Sequence, residues 1–165
     1  DGHRLTMADL RYAFEREELE DVDTVVASGN VLFSYEDRPT DGLEDLIGHI
    51  LRDRFDMAIY VAVRNATEIQ AAIASNPFEN VSESHVVHTH FLAAQPSASH
   101  FSSLIDGYAG RGPAQLAAGA RSLFIDYGND IATSRLTEAF IERRLGCSGT
   151  GRDLRSLQRM LDKMI

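Results

Sequence analysis

The sequence predicts an α+β fold in which a strand-helix-hairpin-helix unit occurs twice, and three observations point to it. Helical and strand periodicities alternate along the chain, two pairs of short β-prone runs each flank a tight reversal, and the order of elements in the first half recurs in the second.

Thr6, with Asp9 three residues on, starts a capping pattern, and Met7, Leu10, Ala13 and Phe14 follow at helical spacing, giving a first helix from Met7 to about Glu18. The β-prone runs Thr24 to Ala27 and Val31 to Ser34 are separated by Ser28-Gly29-Asn30, which reads as a hairpin. Leu43, Leu46, Ile47, Ile50 and Leu51 form the apolar stripe of a second helix ending near Phe55. Ile59 to Arg64 reads as a short buried strand. Asn65 and Glu68 then cap a third helix carrying Ile69, Ala72 and Ile73, and Asn76-Pro77 ends it.

The second half predicts a strand at His85 to Ala93, a helix at about Ala98 to Ile105 and a Gly-rich loop from Gly107 to Pro113. A hairpin follows, with strands at about Ala114 to Ala118 and Ser122 to Tyr127 around Gly119-Ala120-Arg121. Ser134 caps a helix from Arg135 to Leu145 that Gly146 closes, and a last helix runs from about Asp153 to Met164. The second half is therefore βαββα plus a terminal helix. The first half reads αββαβ, and becomes βαββαβ, the ferredoxin-like order, if one strand precedes Asp1. Residues 1–76 and 77–165 are the expected units, packed as one body.

The 165 residues, 44% hydrophobic and 25% charged, are enough for a core that removes roughly 70% of the extended chain's surface from water. No apolar run approaches the ~20 residues that cross a bilayer. No signal peptide is visible, and the chain opens on Asp1 without a methionine. Cys147 is the single cysteine, which excludes an internal disulfide framework and a cysteine-rich zinc site and suits a reducing cytoplasm. A net charge of −9 repels phosphate backbones and argues against general nucleic-acid binding. From Arg135 onward, however, seven basic residues face four acidic ones, which leaves room for a local anion site. Lys163 is the only lysine, on a predicted surface helix face, so pyridoxal-phosphate chemistry and a P-loop are excluded.

Five separated blocks carry a resemblance to a known family. They are Leu5-Thr6-Met7-Ala8-Asp9-Leu10-Arg11, Ser28-Gly29-Asn30-Val31-Leu32-Phe33, Asn76-Pro77-Phe78, Ser134-Arg135-Leu136-Thr137 and Glu142-Arg143-Arg144-Leu145-Gly146. In this order they resemble the bacterial domain-of-unknown-function 1697 family. The resemblance implies a tandem of two ferredoxin-like units in a bacterial cytosolic protein, and no established activity. Members usually begin with a hydrophobic strand running into a Gly-rich loop, of which Gly2-His3-Arg4 stands here. Their Arg-Asn-Trp pattern is Arg152-Asp153-Leu154 in this chain.

Two places suit a ligand. Ser28-Gly29-Asn30 offers a hydroxyl, an amide and a flexible backbone, fit for an anion or for nothing more than a turn. Ser134, Arg135 and Thr137 stand at a predicted helix start, where free amides attract anions and Arg135 adds a two-pronged grip, or where the helix is simply capped. Arg152, Arg155, Arg159 and Lys163 read as a solvated basic helix face, and Gly146 to Gly151 as a helix-helix connector. His88 and His90 share a strand face and His85 points away, so neither a metal site nor a cofactor is expected. The expected function is a non-catalytic module that binds a small anionic or phosphorylated ligand. The alternatives are an enzyme acting on a phosphorylated or nucleotide substrate, its catalytic residue unidentified, and a protein-interaction domain that forms a homo-oligomer through an open sheet edge.

Overall fold

The computed structural model describes residues 6–24, 30–35, 40–129, 131 and 134–164. They form α1 (Met7–Arg16), β1 (Glu20–Thr24), β2 (Val31–Ser34), α2 (Thr40–Phe55), α3 (Ala66–Ser75), β3 (Val87–Leu92), α4 (Ala98–Tyr108), β4 (Gln115–Gly119), β5 (Ser122–Asp126), α5 (Glu138–Leu145), β6 (Gly149–Asp153) and α6 (Leu154–Met164). The fold is mixed α+β with two antiparallel sheets and six helices among the described residues. None of these helices is long and apolar enough to cross a membrane.

The second half carries a four-stranded sheet in the order β4-β5-β3-β6, every pairing antiparallel. Side chains alternate along β5, so Leu123 and Ile125 face one way and Phe124 the other. Leu123 and Ile125 pack with Phe101 and Leu104 of α4 and Ile141 and Leu145 of α5. Phe124 joins Val87 and Phe91 of β3 under Ile69 and Ile73 of α3 and Leu157 of α6. Helices thus cover both faces of this sheet, and α3, from the first half, shares its second core.

In the first half, α1 and α2 bury Leu10, Ala13, Phe14, Ile47, Ile50 and Leu51 together beside the β1–β2 pair. Phe33 of β2 sets its ring edge-on to Phe14, 5.7 Å between centroids. The two halves are stapled by Glu44 of α2. It accepts hydrogen bonds from Arg64, Arg121, the Val63 amide and the Tyr60 hydroxyl, while Arg64 also donates to the carbonyls of Leu92 and Arg121. Burial, and next the Glu44 carboxylate, push the Tyr60 phenol up to about 12.

The structure corrects three expectations. Residues 59–64 are not a strand: they have no ladder partner among the described residues, and β-propensity does not make a strand without an adjacent edge. The stretch expected as a connector contains β6, whose glycines allow close packing on β3. A Cβ at Gly149 would lie 2.9 Å from Leu92 Cδ2, and one at Gly151 2.8 Å from His90 Nε2. Finally, α5 begins at Glu138, three residues later than expected, with Thr137 as its N-cap. Of the first hairpin, residues 25–29, including Ser28 and Gly29, lie outside the described residues.

Candidate functional site

A cavity of about 610 Å³ opens between β2, residues 57–64 and the face of the second sheet that α6 covers. Its walls are mostly apolar, with Phe14, Phe33, Ile47, Val61, Phe91 and Leu157 among them. Asn30, Thr150 and Arg152 contribute polar groups to the lining.

Strand alternation places Thr150 and Arg152 on the same face of β6, opposite Phe91 and Thr89 of β3 in register. Arg152 Nε donates to Asn30 Oδ1 at 2.7 Å, and its Nη1 donates to Thr150 Oγ1 and to the Gly151 carbonyl, each at 2.8 Å. Asn30 is buried. Asn30, just ahead of β2, and the last strand therefore meet through a hydrogen bond spanning 122 positions of sequence. Burial lowers the pKa of Arg152 and the nearby Glu138 carboxylate opposes that shift, but a guanidinium stays charged at any working pH. The site thus offers a fixed cation and an amide beside an apolar chamber. Neither group exchanges protons near neutrality.

The family described as Protein of unknown function (DUF1697) matches residues 1–124. The chain belongs to the DUF1697 family. That family is uncharacterised and has no established activity. No curated protein and no solved structure matches the chain. The DUF1697 match includes Asn30 and ends before Arg152, so the pairing of these two residues is visible only in the fold.

Of the residues expected to bind a ligand, Asn30 lines the cavity, and Ser134, Arg135 and Thr137 do not. Ser134 Oγ accepts from the Leu136 amide and Thr137 Oγ1 from the Phe140 amide, while Arg135 is exposed. Since Thr137 is the cap of α5, Thr137→Ala should cost about 1 kcal/mol in urea unfolding and Ser134→Ala less. Equal losses would contradict this assignment.

The sequence predicts Arg152 on a helix face with Arg155, Arg159 and Lys163. It stands instead in β6, ahead of the helix, while Arg155 donates to the Glu83 carbonyl and Arg159 to Ser156 Oγ. The signal available was the period of two in Gly149-Thr150-Gly151-Arg152, glycines on one side and polar groups on the other. His90, on the opposite face of β3, is held down to about 4 by burial first, then by His88 and Arg152. Among the described residues no three of His, Cys, Asp and Glu converge as metal ligands would.

Proposed function

We propose that this DUF1697 protein is a non-catalytic binding module for a small anionic or phosphorylated ligand, held by Arg152 and the Ser28-Gly29-Asn30 block. The observation that carries this reading is the Arg152–Asn30 hydrogen bond at a cavity whose walls are mostly apolar. A planar guanidinium with fixed orientation suits a carboxylate or phosphate, and the apolar chamber takes the ligand's body. With this goes the reading of a cytoplasmic bacterial protein built as two ferredoxin-like units. In support, β3-α4-β4-β5-α5-β6 has the βαββαβ order, and α1-β1-β2-α2 repeats the αββα stretch within it.

Thermal unfolding against a panel of nucleotides, phosphorylated metabolites and aromatic carboxylates tests the binding reading. A true ligand at 100-fold above its Kd should raise the midpoint by roughly 5–10 °C. Arg152→Met should weaken that ligand at least ~10-fold, and Arg135→Ala should leave its affinity unchanged. A panel without any shift sinks the proposal, as does a shift that survives Arg152→Met.

A further inference from the structure

We infer that Arg111, Arg143 and Arg144, gathered around Phe140 at the seam of α4 and α5, form a docking surface for an acidic segment of a partner protein. None of these four residues lines the cavity, so the inference stands independently of the ligand site proposed above.

Phe140 packs against the core that α4, α5 and the second sheet share, and is half-buried. Its ring holds two cations. The guanidinium carbon of Arg144 stands 5.0 Å from the ring centroid and that of Arg111 5.4 Å. Arg143 and Arg144 follow Phe140 by three and four positions of α5, so both leave the helix beside the ring. The Arg144 guanidinium also lies across α4 at Gly107, where a Cβ would come 2.5 Å from Nη1 and 2.7 Å from Cζ. The bare backbone at Gly107 is what lets it settle there.

The chain has 25 acidic residues against 16 basic, yet among the described residues none of these three arginines forms an ion pair. Glu142, next to Arg143 in sequence, accepts instead from the Gly149 amide. Arg64 and Arg121, by contrast, share the Glu44 carboxylate. Like charges held side by side repel, and an anion brought between them relieves that repulsion. Guanidiniums stacked on a ring keep their planes oriented, which suits two-pronged binding of carboxylates.

Exposure and net charge identify the occupant. Arg111 and Arg143 are exposed and Arg144 is half-buried, a surface with the arginine and aromatic composition of protein interfaces. A nucleic acid is long enough to meet the rest of a chain whose net charge is −9, and is repelled by it. A short run of Asp and Glu feels mainly the three arginines, because charges beyond roughly 8 Å are screened at physiological salt.

Fluorescence anisotropy of labelled hexaglutamate at low salt tests this. The peptide should bind. Arg144→Gln should weaken it about fivefold and Arg111→Gln with Arg144→Gln about twentyfold, while Arg159→Gln, which removes the same charge elsewhere, should change it less than about twofold. Gly107→Ala keeps every charge and suits a helix better than glycine, but its methyl displaces the end of Arg144 and should weaken the peptide about threefold. Absence of binding overturns the inference. So does a loss on Arg159→Gln equal to that on Arg144→Gln, or full affinity in the double variant. An unlabelled single-stranded oligonucleotide or inorganic phosphate that displaces the probe at lower concentration than unlabelled hexaglutamate overturns it too, and gives the surface to those anions instead.

Discussion

Glu44→Ala should lower the unfolding free energy by about 3–5 kcal/mol, the usual cost of leaving one partner of a buried charge pair behind. The Glu44 side chain is 9% exposed and that of Arg64 6%, so removing the carboxylate strands a guanidinium in the interior. What remains to Arg64 is the carbonyls of Val63, Leu92 and Arg121 and the face of Phe91, 5.2 Å from the guanidinium carbon to the ring centroid. These are neutral groups, worth less to a buried cation than a carboxylate. Arg121, whose side chain is 28% exposed, can turn to water and contributes the smaller share. Glu44→Gln keeps an acceptor for the Val63 amide and should cost less than Glu44→Ala. Urea unfolding of the three proteins decides the matter. A loss under ~1 kcal/mol for Glu44→Ala would mean that the network is solvated and does not staple the halves.

Local pattern made much of this fold legible. Asn65 and Glu68 predicted a reciprocal cap, and each side chain does receive the other's backbone amide at the start of α3. The stripe of Leu43, Leu46, Ile47, Ile50 and Leu51 predicted the buried face of α2, and four of the five are in the first core while the half-buried Leu46 packs against it. Where reading failed, the deciding contact was distant. β6 has two glycines in five residues and no apolar run, so its strand character comes from the neighbouring β3 edge rather than from propensity. Residues 59–64 show the reverse, β-prone composition with no ladder partner among the described residues. Asn30 was legible as an unusual polar residue in a turn. Its partner was not, because a contact across 122 positions leaves no trace in local periodicity. The same reasoning explains why a helix start attracted attention: Ser134 and Thr137 both have cap chemistry, and sequence cannot say which of the two the helix uses.

His90 should make stability fall as the solution is acidified from pH 6.5 toward pH 4. The ring is 4% exposed and sits against Gly151, where even a Cβ would crowd it. Burial is the main reason its pKa drops to about 4, with the positive character of His88 and Arg152 adding to it. An unfolded histidine titrates near 6.5. Between these two values the unfolded chain binds a proton that the folded chain refuses, so each pH unit of acidification removes about 1.4 kcal/mol. The contribution is complete above pH 6.5, about 3 kcal/mol of it is gone by pH 4, and the slope vanishes below. His88 acts in the same direction, its pKa lowered by burial against the pull of Asp153. His90→Gln should flatten much of the slope, which urea unfolding at pH 7 and pH 4.5 can measure. Proton resonances of the His90 ring should hold still from pH 7 to pH 5. A ring titrating near 6.5 would show that water reaches it, and that the packing of β6 on β3 is looser than Gly151 permits here.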